Sequence, residues 1–385
     1  MGLTPPGIAL ARSLGRAGVE VLGISSDEDP AAAHSRLFRF RRGPSNQDVT
    51  GSLEFYLELA RELGEPAVLL PTGDLNVLFI STHRSQLDPH FRYLLPSEEQ
   101  IGRITSKREF PQLAEELGLP LPRTLVPTSA EDLAREAPTL RFPCVIKPEF
   151  THLWRSQAAR EAQLRSTKAI PVADLDELLT RYDELARVDD RLLVQEQIIG
   201  PDENHVDYAA LVDTDGRFLG QFAGRKLRTH PPHFGLGCYV ESIALDEVGE
   251  LGRSILERLG YRGPAWVQLK RDDRDGRYYL YEINTRFGIW VGLPIAAGVD
   301  FGYAYYKAAL GEQHDAGESY DIGKRWLNLA DDRKSLGTYL ADGTWSRSRW
   351  AMSLLRASAW SLLALDDPSP SLVSLRRGIR HGLRE

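Results

Sequence analysis

Residues 278–290 read YYLYEINTRFGIW, an aromatic run that suits a strand, yet Glu282, Asn284 and Arg286 stand in it at every second position. In a strand, residues i, i+2 and i+4 line one face, so an acid, an amide and a guanidinium form a row with about 7 Å between neighbours. The strand before it, AWVQLKR, reaches it through DDRDG. A three-residue loop with Gly276 in the left-handed position pairs Asp273 with Arg277, Lys270 with Leu280 and Gln268 with Glu282. Gln268, Glu282 and Asn284 then converge on one face. One carboxylate flanked by two amide oxygens suits Mg²⁺, which takes hard oxygen ligands and completes its shell from water and phosphate. Arg286, one step further, has the fork geometry for phosphate oxygens. A two-residue loop would send Gln268 to the other face, so the register is part of the expectation.

Other residues compete for a chemical role. Lys147 ends the buried-looking run FPCVIKP, where an ammonium needs an anionic partner; phosphate is the expectation. GRKLRTHPPHFGLGCYVES (224–242) concentrates Arg225, Lys226, Arg228, His230 and His233. A histidine metal site there lacks a third ligand, and the prolines stiffen an extended loop. Cys238 has no base placed beside it by sequence and reads as a small buried residue. Asp74 in PTGDLN lies where ligands of open α/β sheets bind, beyond the carboxyl ends of parallel strands, with a plain turn as the equal alternative. Asp273, Asp275, Gly276 and Glu282 match part of a calcium loop, but Arg271 takes the first ligand position and the flanks are strands. GLTPPG lacks the GxGxxG spacing of a dinucleotide fingerprint. Trp290 and the Tyr303–Tyr306 cluster read as core.

The elements that must position these residues follow from the pattern. The opening 100 residues alternate amphipathic helix with the strands Val19–Ser25, EPAVLLPTGD and FRYLLP, which implies a doubly wound parallel sheet. Such a domain ordinarily begins with a strand, and here Met1 stands at the loop, so either the first strand is absent or the start lies upstream. SKREFPQLAEELGLPLPRT is helical up to Gly118, FPCVIKP and RLLVQEQIIG are strands, and DLDELLTRYDELA is a helix. DYAALVDTDGRFLGQFAG and AWVQLKRDDRDGRYYLYEINTR are strand pairs around Asp-x-Asp-Gly turns, as in an antiparallel sheet. Helices return at 246–259 and 301–310.

The chain has 385 residues, 42% of them hydrophobic and 26% charged, with net charge −7. That length and balance suit a multidomain globular protein with sizeable cores. The negative charge argues against a general nucleic-acid binder. Cys144 and Cys238 alone offer neither a disulfide framework nor a CxxC site, which suits the cytoplasm. The apolar stretch 351–365 carries Arg356 at its middle and as a helix reaches only ~22 Å, short of a ~30 Å hydrocarbon core. It reads as a packed or partner-facing helix, with no membrane partner.

With those motifs in order, the chain resembles the ATP-grasp enzymes, in texture the carbamoyl-phosphate-synthetase-like branch with its many carboxylate–amine ligases. YLYEINTRFG is similar to their Glu-x-Asn-x-Arg strand. The resemblance covers 100–290 well and the first 100 residues loosely. It implies Lys107 at the opening of the nucleotide site and Lys147 on the α- and β-phosphates. Glu196 and Ile198 fall at the adenine hinge and Glu203 at the ribose hydroxyls, with Asp202 as its competitor. Mg²⁺ or Mn²⁺ would lie on Gln268, Glu282 and Asn284, with Arg286 neutralising the transferred group. Arg225 and Lys226 are expected at the γ-phosphate or acyl-phosphate, a solvated basic face being the alternative. Gln268 replaces a frequent glutamate, as in carbamoyl phosphate synthetase-like sites. The loop EFTHLWRSQAAREAQLRSTKA has no glycine, where many relatives close a glycine-rich loop over phosphate; Arg155, Arg160, Arg165 and Lys168 are its candidate charges.

The expected fold is therefore α/β (α+β): an ATP-grasp fold with two α+β subdomains behind a Rossmann-like domain whose first strand is missing. The expected segments are 1–100 for that domain, 101–195 and 196–325 for the subdomains, and 326–385 for a helical extension. The expected activity is ATP-dependent ligation of a carboxylate to an amine, amino acid or small peptide, through an acyl-phosphate. A non-catalytic ATP-binding sensor or scaffold and a carboxyphosphate-forming enzyme are the alternatives. A homodimer is a family-level expectation.

Overall fold

A computed structural model describes residues 2–149, 169–233, 235–317 and 319–382, with side chains of the closing helix as far as Arg377. The candidate charges Arg155, Arg160, Arg165 and Lys168 lie outside the described residues. The chain divides into two compact units. One comprises Met1–Ile101, Pro201–Gln268 and Ile283–Glu385, the other Gly102–Gly200 and Leu269–Glu282.

In the first unit, helix Pro5–Arg16 carries proline in its first turn, where the missing N–H is not needed. It buries Ile8, Leu10, Ala11 and Leu14. Strand β1 (Leu22–Ser25) pairs parallel with β2 (Arg39–Arg42), and β3 (Ala67–Val68) pairs parallel with β4 (Phe91–Arg92). The parallel pairing matches expectation, but the strands form separate two-stranded pieces shorter than the apolar runs suggested. Strand β2, with the sequence RFRR, lacks an apolar run and was not foreseen. Gly2 forms a parallel bridge to Ile24.

The second unit holds β5 (Thr124–Leu125), β6 (Cys144–Pro148), β7 (Ile170–Val172) and β8 (Leu192–Glu196) in the order β5-β8-β6-β7. Helices Ala130–Glu136 and Leu175–Ala186 are capped by Ser129 and Asp174, whose side chains accept from the backbone three residues on. Leu133, Leu178 and Tyr182 pack on Cys144, Ile146, Leu192 and Val194.

The remaining strands are β9 (His205–Val212), β10 (Phe218–His230), β11 (Leu236–Ile243), β12 (Gly263–Arg271), β13 (Tyr278–Asn284), β14 (Arg325–Leu327) and β15 (Ala359–Trp360). They form one seven-stranded sheet in the order β13-β12-β9-β10-β11-β14-β15. Adjacent residues of β11 show its two faces. Val240 joins the core of Phe222, Trp266, Trp290 and helix Phe301–Ala309, while Tyr239 joins Leu327, Tyr339 and Trp345. Trp266 and Trp290 are both 1% exposed, and burial of such rings contributes roughly 4 kcal/mol apiece before conformational entropy. Trp290 is core, as read from the sequence.

The apolar stretch near the end departs from expectation. Helix Arg347–Leu355 stops at Arg356, and Ala359–Trp360 leaves it to pair parallel with β14. Ser358 N–H donates to Arg325 O at 2.8 Å, so the sheet edge captures the chain before a longer helix can form. Among the described residues, no helix is long and apolar enough to cross a membrane.

Candidate active site

Lys147 closes β6 in the second unit. Its Nζ donates to Gln195 Oε1 at 2.6 Å, and Gln195 Nε2 donates to Thr124 Oγ1 at 2.8 Å. Burial lowers the ammonium pKa, the like charge of Lys107 lowers it further and Glu282 opposes both; the result is about 8. Lys107 Nζ donates to Pro148 O at 2.9 Å. Two ammonium groups and a carboxylate therefore act on one another in a single unit, a charge arrangement that phosphate would complete.

The hinge is tied down beside them. Glu196 Oε1 accepts from Arg141 N at 2.8 Å, Glu196 N donates to Arg123 O, and Gln197 N donates to Pro143 O. Ile198 follows, half-buried. Arg274 Nη2 donates to Gln197 O at 2.7 Å and Asp273 N to Ile199 O at 2.9 Å, so the β12–β13 turn clips the hinge.

That turn corrects one expectation. Gly276, at φ +73°, donates to Asp272 O, and Asp272 N donates to Arg277 O, both at 2.8 Å. The loop is Asp273–Gly276, four residues rather than three, and it closes on Asp272. The Asp272 carboxylate, 1% exposed, accepts from Arg274 N and its guanidinium, while Asp273 N is drawn to the hinge instead of across the hairpin. The opposition of Gln268 and Glu282 therefore does not follow from the turn. Gln268 and Asn284 are 8% and 9% exposed, and Glu282 is exposed.

In the first unit Arg286 makes a two-pronged pair with Asp74, Nε to Oδ1 at 2.7 Å and Nη2 to Oδ2 at 3.1 Å. Two residues singled out separately are thus joined, Asp74 heading helix Asp74–Thr82. The cations of β10 are also held. Arg225 Nη2 donates to Glu241 Oε2 at 2.8 Å, in register Arg225↔Glu241. Lys226, 2% exposed, lies 3.2 Å from Asp207, whose other oxygen accepts from Trp266 Nε1. Burial raises the Asp207 pKa against the pull of Lys226. Lys226 thus sits in a buried ion pair, not on a solvated basic face.

Of the ribose competitors, Asp202 is buried and accepts from Tyr339 Oη, with His233 at 3.4 Å. Glu203 is half-buried and lines a cavity with Arg225. His230 meets Ser335, and His233 meets Asp202 and Asp342. No cluster of three metal-ligating His, Cys, Asp or Glu occurs among the described residues. Cys238 is 1% exposed, and burial pushes its thiol pKa far up, away from nucleophilic use. Sequence reading missed Gln195, Asp207, Glu241 and Arg325; only strand pairing brings them to their partners.

No family model matches the sequence. It is 27% identical over 293 residues to the D-aspartate ligase of Enterococcus faecium (strain Aus0004), covering 72% of this chain and 68% of the relative. It is 25% identical over 311 residues to D-alanine–D-alanine ligase B of Pseudomonas putida KT2440, covering 77% and 83%. The fold matches the solved biotin carboxylase domain dimer of Hydrogenobacter thermophilus 2-oxoglutarate carboxylase, in complex with MgADP, ADP and bicarbonate. That match has a TM-score of 0.61 and 17% identity and covers 83% of this chain and 71% of the other. These likenesses show an ATP-grasp fold, and the sequence relatives support a carboxylate–amine ligase. The converging charges of Lys107, Lys147 and Glu282 would suit a nucleotide phosphate and its Mg²⁺.

Proposed function

We propose that this chain is an ATP-dependent ligase that joins the carboxylate of one amino acid or small peptide to the amine of another, with D-amino acids, D-aspartate among them, as the first candidates. The names of its sequence relatives support that choice. ATP supplies the phosphoryl group that makes the carboxylate an acyl-phosphate, which the amine then attacks. Lys107 and Lys147 hold the phosphates, Glu196 and Ile198 form the adenine hinge, and Glu203 meets the ribose. Glu282 and Asn284, two apart on β13, hold Mg²⁺ with Gln268. Arg286, oriented by Asp74, stabilises charge on the transferred group. Arg225 and Lys226 are the proposed cations for the γ-phosphate or acyl-phosphate, the first paired with Glu241 and the second with Asp207. The segments 1–100, 101–195, 196–325 and 326–385 are the working domains of this reading. A homodimer and a cytoplasmic site, consistent with two unpaired cysteines, accompany it.

The observation that carries the nucleotide assignment is Lys147, its pKa lowered to about 8 with Lys107 and Glu282 acting on it. ADP release with Mg·ATP across pooled D- and L-amino acids tests the reading. Acceptor-stimulated release is expected from the parent, and Glu282→Ala should reduce it at least a hundredfold, about 3 kcal/mol of transition-state stabilisation. Nucleotide binding without stimulated release from any pool would sink the ligase reading.

A further inference from the structure

A polar stripe is buried between the C-terminal extension and the sheet of the first unit. In helix Leu329–Ala341, Asp332, Ser335 and Tyr339 stand at i, i+3 and i+7, on one side of the helix. All three are at most 1% exposed, where apolar side chains ordinarily pack. Their partners are consecutive residues of β10. Asp332 takes the Arg228 guanidinium at 2.6 and 3.1 Å, and Ser335 Oγ meets His230 Nδ1 at 2.7 Å. Tyr339 Oη accepts from Thr229 N at 2.8 Å. The phenol keeps its own proton to give, and gives it to Asp202 Oδ2.

Asp202 opens the short turn Asp202–Asn204 that leads into β9. It is 5% exposed, and both of its oxygens are engaged. Besides Tyr339, Thr229 Oγ1 lies 3.4 Å from Oδ2 and His233 Nδ1 lies 3.4 Å from Oδ1. Backbone bonds close the turn, Asn204 N to Pro201 O at 3.1 Å and His205 N to Asp202 O. Glu203, the next residue, is half-buried, and among the described residues its carboxylate has no hydrogen-bond or ion-pair partner. Three residues per turn set adjacent side chains about 120° apart, so anchoring Asp202 fixes the bearing of Glu203.

We propose that Tyr339 of the C-terminal extension is a positioning residue for the nucleotide, acting through Asp202 to aim Glu203 at the ribose hydroxyls. The inference rests on the ribose reading of Glu203 and deepens it. Without the phenolic proton the buried Asp202 carboxylate loses a partner, and a buried carboxylate left short of donors turns toward water. The turn moves with it, and Glu203 goes off its bearing. Hydrogen bonds from a sugar diol to a carboxylate weaken steeply with misalignment, so the loss falls on recognition of the hydroxyls. Asp202, the competitor for the ribose in the sequence, is in this arrangement the anchor and not the contact.

Calorimetric titration of the full-length protein with the Mg²⁺ complexes of ATP, 2′-deoxy-ATP and 3′-deoxy-ATP tests the proposal. The parent should bind ATP about tenfold more tightly than either deoxynucleotide, and Glu203→Gln should shrink that preference to about twofold. Tyr339→Phe, which removes only the hydroxyl, should shrink it likewise and leave deoxynucleotide affinity nearly unchanged. His233→Asn probes the same anchor from the other carboxylate oxygen, at a side chain 40% exposed whose left-handed backbone, φ +68°, asparagine accepts. It should reduce the preference to about threefold. A purely structural Tyr339 would weaken all three nucleotides equally or none, and either result, with Glu203→Gln still flattening the preference, overturns the positioning role. If circular dichroism shows Tyr339→Phe unfolded, an unchanged preference in His233→Asn overturns it instead. An undiminished preference in Glu203→Gln removes Glu203 from the ribose and takes the inference with it. A parent that binds none of the three refutes the nucleotide site itself, and the inference falls with that site.

Discussion

Lys147 shows how one side chain can serve function at the expense of stability. Free lysine titrates near 10.5, and in the fold Lys147 titrates at about 8. Between those values the unfolded chain holds the proton that the folded chain has released, so this residue makes stability rise with pH across about 8 to 10.5. Below that window the buried ammonium weakens the fold. Lys147→Met should accordingly stabilise the nucleotide-free protein at pH 7 by about 1 kcal/mol, seen as a raised thermal midpoint, and weaken Mg·ATP binding at least tenfold. In the parent, nucleotide affinity should fall as pH climbs through about 8, when the ammonium is lost. Titration calorimetry at several pH values and a melting curve of the variant check both statements; a variant less stable than the parent would refute the first. Lys147 was legible because an apolar run precedes it. Lys226 was not, since its partner Asp207 stands 19 residues earlier and reaches it only through the β9–β10 ladder, where Gly224 faces Asp207. Spacing within a strand can be read from sequence, whereas pairing between strands depends on a register that periodicity alone leaves open.

Two elements turn local chemistry into position. The Asp273–Gly276 turn holds the hinge through Arg274 and Asp273. Arg274→Ala removes the donor to Gln197 O and uncovers the buried Asp272 carboxylate, so KM for ATP should rise several-fold, with about 2 kcal/mol of lost stability. Steady-state kinetics at saturating acceptor would show it, and an unchanged KM would count against the hinge role. The second element is β10, whose Gly224 lies under Trp290. A Cβ there would sit 2.5 Å from the indole Cη2, so Gly224→Ala should destabilise by about 1–3 kcal/mol, read from denaturant unfolding. The hairpins, the helices at 246–258 and 301–309 and the antiparallel sheet were all legible, because their periods are long and regular. The N-terminal strands were not, being two to four residues long, and RFRR has a partly charged pattern. The end of helix Arg347–Leu355 was hidden for another reason: a sheet edge from residues 325–327 decides it.

At the scale of the molecule, the extension is bolted to the first helix. Arg12, 4% exposed, donates from Nε to Asp367 Oδ2 at 2.9 Å, and Asp367 also accepts from Ser35 Oγ and Arg36 N. Burial would raise the Asp367 pKa, but Ser35, Arg36 and Arg12 together pull it below the ordinary value. This contribution is whole above the ordinary carboxylate pKa of about 4 and is lost as pH falls through the folded value. Asp367→Ala strands a buried guanidinium and should cost about 3–5 kcal/mol; a loss under 1 kcal/mol in urea unfolding would refute the link.

The same bolt bears on how the protein is made. Arg12 and Asp367 are 355 residues apart, and at about 5–20 residues per second a ribosome needs roughly 18–70 s to travel between them. For most of that interval the first helix is outside the ribosome without its carboxylate, its guanidinium still in water. A chaperone or protease working on nascent chains meets an unfinished first unit for nearly the whole of synthesis. A premature stop codon before residue 367 would release chains in which the helix never acquires that partner.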